Sequence, residues 1–440
     1  MASPDSAHSG TPTNTPNYGA SESLLRRRSF VEEAADSLAR NFATYSAFLF
    51  VGCGCGWLTS DSIDQLLANE QAVQRHGKMF GTLSDTSGIV GLVSGILFFL
   101  YLLTFRTKPM LKHDQCTCIW LTMCNITALF SLAVFWQADA PTYPVVVVCN
   151  MLGVLTAQAS YYFIFPMVAT FYAGWLIAPV RTGTDLSTLL TALLGEMQNP
   201  TGQHIRFSSA CFFATLALIA CLGLVAWFVI IGNDIGLKKK TSQDNTTDDS
   251  PVHEHAYLQL GCPRELSMVI VLTVGVGVVQ WGFIGIVGNI GARMTDPEGC
   301  YGTQGPGVYH FALTLNRVLV PLGSVLSSFG ECPKYLFYVL VTLQVTLGTL
   351  VCSAVAGVHQ HLWATPVGQL VYVLCFGFIG GLESYLLTMA FRYTSDENFF
   401  SKEQRRGASN LLSLLSAVVL SLASICVGRL VENGTIRCSE

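Results

Sequence analysis

Long apolar stretches dominate this sequence, and short polar segments separate them. The stretches are roughly 20 residues long, the length at which a helix crosses the ~30 Å hydrocarbon core of a bilayer. Only 12% of the residues are charged and 51% are hydrophobic, whereas roughly 25% of the residues in a soluble globular domain are charged. The sequence therefore predicts an all-α polytopic membrane protein and excludes a soluble fold.

Eleven of these stretches are long enough to be transmembrane helices. Six precede a polar segment at residues 233–265, and five follow it. This division predicts a major-facilitator-like 6+5 arrangement, in which a cytoplasmic linker loop at 233–265 joins helical bundles at 42–232 and 266–431. The predicted spans lie near residues 42–67, 79–104, 117–136, 143–167, 172–194, 207–232, 266–291, 307–329, 335–357, 365–391 and 408–430.

The orientation follows from the distribution of positive charge, because Lys and Arg are retained on the cytoplasmic side. With the N-terminus inside, 16 of the 24 Lys and Arg residues fall in cytoplasmic segments and 6 lie in outer segments or at the outer end of the last span. Residues 1–41 are then a cytoplasmic tail, predicted to be disordered because its first part is rich in Ser, Thr, Pro and Asn and has no apolar core. The odd number of spans places the tail at 432–440 outside the cell.

Two features belong to the predicted outer side. Asn433, Gly434 and Thr435 form an N-glycosylation sequon beyond the last span. Cys300 and Cys438 also fall outside, where an oxidising environment permits a disulfide. Both outcomes for these cysteines, a bridge or two free thiols, are compatible with the sequence.

Enzyme and metal motifs are missing from the sequence. It contains no Walker loop, no H-E-x-x-H and no G-x-S-x-G elbow. Cysteine pairs such as Cys53 and Cys55 have no His or carboxylate in register, so we predict no metal site and no cofactor. A net charge of -4 without a large basic patch gives no reason to expect nucleic acid as a partner.

The most informative positions are ionisable residues within the apolar stretches, since a charge at membrane depth costs at least ~2.5 kcal/mol. Asp61 and Asp64 could line a polar cavity or mark the solvated end of the first span. Arg317 and Glu383 could serve the same cavity or form a buried ion pair that orients two helices. Arg181 could pair with an acidic residue or extend along its stem to the cytoplasmic interface.

Aromatic and amide side chains lie at similar predicted depths. Such groups can stack on a planar ligand or hydrogen-bond it, and core packing is the structural alternative for each of them. They are Trp57, Tyr161, Tyr162, Gln280, Trp281, Tyr309, His310 and Tyr385.

One of these polar stretches resembles a known family. The stretch from Gly54 through Gly56, Trp57, Asp61 and Ser62 is similar to the first-helix signature of the eukaryotic riboflavin transporters, solute carrier family 52. Asp61 stands where that signature has Asn. The glutamate that usually follows is replaced by Leu66 in the ungapped register.

Further segments agree with the family in order and spacing. In the later spans Glu383 stands where animal members have Lys, which indicates a distant branch. The matching segments are Ala159-Ser160 with Phe163 and Pro166, Gly183 with Leu186 and Ser187, Arg206-Phe207-Ser208, Cys300-Tyr301-Gly302, Tyr309-His310 with Ala312 and Pro321-Leu322, and Cys375 with Gly377.

The resemblance implies a plasma-membrane carrier that imports riboflavin by alternating access, with lipid and the vitamin as its partners. It also implies a disulfide between Cys300 and Cys438. Arg181 and Glu383 would act as a gate or an ion pair. The residues that would line the substrate site are Trp57, Asp61, Ser62, Ser160, Tyr161, Gln280, Trp281, Asn316 and Arg317.

Other functions fit the same topology. An equilibrative nucleoside transporter shares the six-plus-five layout and takes a similarly flat, hydroxylated substrate. A polytopic receptor would bind its ligand without accumulating it. A membrane-embedded enzyme would need a catalytic cluster, and the sequence offers none.

Overall fold

The computed structural model describes residues 42–69, 77–104, 111–136, 143–198, 206–237, 305–330, 332–355, 360–395, 400 and 402–432. Throughout these ranges the chain is helical, apart from short connections and one isolated bridge between Tyr172 and Leu237. The helices are α1 (Phe42–Gly54), α2 (Leu58–Asn69), α3 (Gly77–Thr104), α4 (Leu111–Phe135), α5 (Tyr143–Phe171), α6 (Ile177–Gln198), α7 (Ser209–Gly232), α8 (Gly305–Leu326), α9 (Lys334–Val355), α10 (Gln360–Trp363), α11 (Pro366–Thr394) and α12 (Lys402–Glu432).

Ten of the eleven predicted spans coincide with described helices, and the seventh, at 266–291, lies outside the described residues. Six helices are long and apolar enough to cross a membrane: α4, α5, α7, α8, α9 and α11. The bent pair α1 and α2 makes a seventh when it is counted as one span. These figures refer to the described ranges alone, so the number eleven and the sides on which the termini lie stay predictions.

The predicted first span is broken rather than continuous. Helix α1 ends at Gly54 and α2 begins at Leu58, with an angle of 54° between them. The backbone amide of Trp57, within the break, donates to Ser187 Oγ of α6 at 3.0 Å. A Cβ on Gly56 would collide with the same Ser187 side chain. The break therefore follows from close contact with α6, which no apolar pattern within the span reveals.

The boundary between the fourth and fifth predicted spans also differs from the prediction. Helix α5 continues through Pro166 to Phe171, and a short 3-10 turn at Gly174–Leu176 precedes α6. Thr170 donates its hydroxyl to the Pro166 carbonyl at 2.6 Å. Pro166 lies inside α5 and does not end it; neighbouring helices and Ser or Thr side chains make proline tolerable in membrane helices.

The helices on either side of the predicted linker pack against each other. We call α1–α7 the first half and α8–α12 the second half. Across the halves, α12 packs along α3 and α5, while α6 packs against α8 and α11. The rings of Phe165 in α5 and Phe391 in α11 stack with centroids 4.6 Å apart. The interface between the halves is thus a packed core in which any polar group must find a partner.

Large apolar side chains also cover outward-facing surfaces of the described helices. Val134 in α4 is 69% exposed and Leu218 in α7 is 63% exposed. Exposing such apolar surfaces to water would be unfavourable in free energy, whereas lipid tails solvate them. Exposed apolar faces and a buried polar interior together match a protein that lies in a bilayer.

Candidate functional site

The Arg181 side chain sits at the centre of a buried charged cluster. Its Nη2 lies 3.1 Å from Asp185 Oδ1, one turn along α6, and 3.4 Å from Glu383 Oε1 of α11. These three side chains are 3–4% exposed. The guanidinium also donates to the Tyr161 hydroxyl of α5. Ser384 donates its hydroxyl to Asp185, so a second contact joins α11 to α6.

We call these five residues the Arg181 cluster: Tyr161, Arg181, Asp185, Glu383 and Ser384. Its one guanidinium faces two carboxylates. A buried charge is tolerated only when it is paired and hydrogen-bonded. Because Arg181 belongs to the first half and Glu383 to the second, the cluster joins the two halves electrostatically.

A second polar cluster surrounds Arg317 in α8. Arg317 Nη1 donates to Gln65 Oε1 of α2. Asp61 and Asp64 of α2 lie close enough to Arg317 for its positive charge to interact with their carboxylates. Tyr309 lies near the same guanidinium. We call these five residues, Asp61, Asp64, Gln65, Tyr309 and Arg317, the Arg317 cluster.

The spacing within α2 explains why this second cluster forms. Asp61, Asp64 and Gln65 are three and four residues apart, so they occupy one face of the helix. Gly195 of α6 faces Gln65 so closely that an added Cβ would lie 2.8 Å from Gln65 Nε2. The glycine leaves room for the Gln65 side chain, which then reaches Arg317 in the other half.

The positions of Asp61 and Arg181 distinguish between the alternatives for each residue. Asp61 lies in the first turn of α2, which continues to Asn69, and its Oδ2 atom is buried. It is therefore not at a frayed, solvated helix end. Arg181 is 3% exposed, so its stem does not extend to the membrane interface. Both side chains point into the packed interior.

The uncharged residues expected to line the site are held by local contacts. Ser62 donates to the Thr59 carbonyl at 2.7 Å, and Ser160 donates to the Ala157 carbonyl at 2.6 Å. Asn316 Nδ2 donates to the Phe376 carbonyl at 2.8 Å and so ties α8 to α11. Each serine hydroxyl can still accept a hydrogen bond, and the amide of Asn316 keeps further capacity.

Several expected residues fall outside the described part of the chain. Gln280 and Trp281 belong to the seventh predicted span. Cys300, Cys438 and the sequon asparagine Asn433 belong to the predicted outer segments. Their predicted roles stay predictions.

Sequence reasoning missed Gln65 and Ser384 of the two clusters. It also missed Thr188, which lies beside the Asp61 carboxylate. For Gln65 a signal existed, since it lies four residues after Asp61 on the same helix face. For Ser384 the contact partner is 199 residues away along the chain, and no local pattern indicates it.

A curated relative gives the first comparison with known proteins. The chain is similar to the riboflavin transporter rft-1 of Caenorhabditis elegans, with 25% identity over 282 residues. The aligned region covers 56% of this chain and 64% of the nematode protein, less than two thirds of its length. No protein-family profile matches the chain.

Solved structures give the second comparison. The human organic anion transporter MFSD10 (TETRAN) matches with a TM-score of 0.55 and 13% identity, over 91% of this chain and 95% of that one. The proton:xylose symporter XylE matches with a TM-score of 0.55 and 11% identity, over 93% of this chain and 90% of that one. At such identities the likeness concerns the fold alone. The chain is an all-α multi-pass membrane protein with a major-facilitator-like fold.

Proposed function

We propose that this chain, a distant member of the riboflavin transporter family, imports riboflavin across the plasma membrane by alternating access. The relationship to the nematode riboflavin transporter supports the substrate. The major-facilitator-like fold supports the mechanism, in which two helical bundles rock about a site between them.

The observation that carries the proposal is the placement of two buried polar clusters between the halves. The Arg181 cluster joins α5 and α6 to α11, and the Arg317 cluster joins α2 to α8. Buried polar residues at a bundle interface are costly and usually serve transport or substrate binding. An alternating-access carrier needs polar groups at the interface between its two halves, and both clusters contain residues from each half.

The chemistry of riboflavin suits the residues around the clusters. Its flat ring system is suited to stacking on Trp57, Tyr161 or Tyr309. Its hydroxylated ribityl chain is suited to hydrogen bonds with the Asp61 carboxylate and the Asn316 amide. Asp61 Oδ2 is buried and has no hydrogen-bond partner among the described residues, so a substrate hydroxyl is a fitting donor to it.

Riboflavin is neutral at pH 7, so the charged side chains do not bind a charged substrate group in this proposal. Arg181 and Arg317 need not neutralise a substrate charge. They hold the first half against the second through Glu383 and Gln65. Rearrangement of these contacts would then accompany the change from one open side to the other.

The test is uptake of radiolabelled riboflavin by intact cells that lack their own riboflavin carrier. We expect saturable accumulation that depends on this chain and is blocked by excess unlabelled riboflavin. If uptake through the chain is blocked by adenosine or uridine but not by riboflavin, the substrate assignment is wrong. Saturable binding without accumulation would instead indicate a receptor.

A further inference from the structure

A buried asparagine of α4 contacts both sides of the break between α1 and α2. Asn125 Nδ2 donates to the carbonyl of Gly54, the last residue of α1, at 2.9 Å. Asn125 Oδ1 accepts from the hydroxyl of Thr59, in the first turn of α2. The side chains of Asn125 and Thr59 are fully buried. One side-chain amide therefore joins the end of α1 to the start of α2.

The chemistry of its two partners fixes the orientation of this amide. The Gly54 carbonyl can only accept a hydrogen bond, so it requires the amide nitrogen, and Oδ1 is left for the Thr59 hydroxyl. A break inside a membrane span frees backbone groups at both helix ends, and these groups need partners within the protein. Asn125 supplies such a partner to α1 and holds the start of α2 beside it.

Other helices hold the same break. A Cβ on Gly54 would lie 2.9 Å from Gly223 Cα of α7, so α1 ends in close contact with that helix. Trp57 lies between the two residues that Asn125 contacts, and Ser187 of α6 accepts from its backbone amide at 3.0 Å. The backbone on either side of Trp57 is thus held by α4, α6 and α7.

The Trp57 side chain connects this break to the proposed substrate site. Its indole lies beside the Tyr161 hydroxyl of the Arg181 cluster. The Trp57 side chain is partly buried against an apolar core that includes Phe165. A ring that stacks on a ligand must keep its position and tilt closely, and the residues behind it set both.

We infer that Asn125 is a positioning residue for substrate binding, which holds the break between α1 and α2 and so sets where the Trp57 ring lies. Asn125 acts through Trp57 and does not itself contact the substrate. The inference rests on the proposed function because it takes Trp57 as a substrate contact. The geometry that it describes is the same for any solute with a flat ring.

Riboflavin uptake by single and double variants tests whether Asn125 acts through Trp57. Asn125→Ala and Trp57→Ala should each raise the KM about three- to tenfold, with maximal uptake per surface protein largely kept. In a protein that already carries Trp57→Ala, Asn125→Ala should raise the KM little further, because the ring that Asn125 positions is gone. An equal fold-change in KM with and without Trp57→Ala would overturn the inference. An unchanged KM for Asn125→Ala would overturn it as well.

A milder variant and a matched control accompany this comparison. Thr59→Val removes one contact of Asn125 at nearly constant volume and should raise the KM by a smaller factor. If Asn125→Ala does not reach the membrane, Thr59→Val takes its place in the double variant. Asn150→Ala is the control, because Asn150 of α5 is also buried and donates to Ser87 Oγ of α3 at 2.9 Å. It should lower abundance without changing the KM, and an equal rise in KM for Asn150→Ala and Asn125→Ala would overturn the inference.

A measurement without substrate separates this inference from the proposed substrate. The difference in fluorescence between purified protein and its Trp57→Phe variant isolates the emission of Trp57. Asn125→Ala should shift the wavelength of this emission, and Asn150→Ala should not. If wild-type protein accumulates no riboflavin while Asn125→Ala shifts the emission, the substrate assignment fails and the positioning of Trp57 by Asn125 stands. If riboflavin accumulates but Asn125→Ala changes neither the emission nor the KM, the positioning role fails and the substrate assignment stands.

Discussion

Arg181 and Glu383 lie 3.4 Å apart in the interior of the protein, although 202 residues separate them along the chain. Asp185 shares the same guanidinium. If all three groups are ionised, the cluster holds one positive and two negative charges. Neutralising Glu383 leaves one positive and one negative charge, whereas neutralising Arg181 leaves two negative charges and no positive charge in the cluster.

This imbalance predicts unequal effects of two single substitutions. Arg181→Gln should destabilise the protein by about 3–5 kcal/mol, because it removes the guanidinium that two buried carboxylates share. Glu383→Gln should destabilise the protein clearly less than Arg181→Gln, because Arg181 and Asp185 still pair. Thermal unfolding in detergent and surface abundance measure the difference. An equal loss of stability in both variants would contradict a cluster of one positive and two negative charges.

The Arg317 cluster gives a prediction about transport rather than stability. Asp61→Ala and Arg317→Ala should each abolish riboflavin uptake when uptake is normalised to the amount of protein at the cell surface, because we propose that both groups belong to the substrate site. Exposed residues supply matched controls in Asp234→Asn and Arg206→Gln, which should transport normally. Normal uptake by both site variants would remove Asp61 and Arg317 from the site.

Gln65 belongs to the Arg317 cluster, but the ungapped match to the family's first-helix signature points to its neighbour Leu66 instead. Alignment with the family places Leu66 where a glutamate usually stands. Leu66 is fully buried in an apolar cluster with Leu58, Ile63 and Phe212, while its neighbour Gln65 contacts Arg317. A polar side chain that contacts the other half therefore stands one position before Leu66.

This position predicts a binding defect for Gln65→Leu. Loss of the amide should raise the KM for riboflavin about tenfold, the effect of losing ~1.4 kcal/mol of interaction. Gln344→Leu is the control, because the Gln344 amide is also buried and donates to a backbone carbonyl, that of Ile379, at 3.1 Å. It should lower abundance without changing KM. A similar KM for both variants would show that Gln65 has only a packing role.

The apolar pattern predicted where helices lie but not how they meet. Ten predicted spans coincide with described helices, because span length is set by bilayer thickness. The break before Leu58 depends on Ser187, which is 130 residues from Trp57. The pairing of Arg181 with Glu383 likewise depends on tertiary packing. The sequence therefore marked the charged residues as unusual, while their partners required the structure.

The outer cysteines allow a test of topology that does not depend on the described helices. We predict a disulfide between Cys300 and Cys438, and its loss should lower stability by about 2–4 kcal/mol. Cys300→Ser and Cys438→Ser should then have matching effects, and reducing agent should add nothing to either. A protease-nicked protein with a C-terminal tag reports the bridge on non-reducing gels. An unchanged fragment mobility on reduction would exclude it.

The predicted side of the C-terminus can be checked on the same protein. Asn433 lies beyond the last span in an N-glycosylation sequon. If this tail is outside and accessible, glycosidase treatment should increase gel mobility, and Asn433→Gln should remove the shift. Impermeant labelling of a C-terminal tag on intact cells tests the side independently of glycan attachment. Labelling only after permeabilisation would contradict the predicted orientation.

Close backbone contact between α8 and α11 gives a prediction within the second half. A Cβ on Gly323 would collide with the Gly381 carbonyl group, lying 2.9 Å from its carbon atom. Gly323→Ala should therefore force the helices apart and cost about 1–3 kcal/mol. Gly307, in the same helix, has no atom of the described residues within 4 Å of an added Cβ. Gly307→Ala should thus leave the melting temperature unchanged or slightly higher, because Ala favours helix over Gly by ~1 kcal/mol. Equal melting temperatures for the two variants would contradict the close approach of α8 and α11.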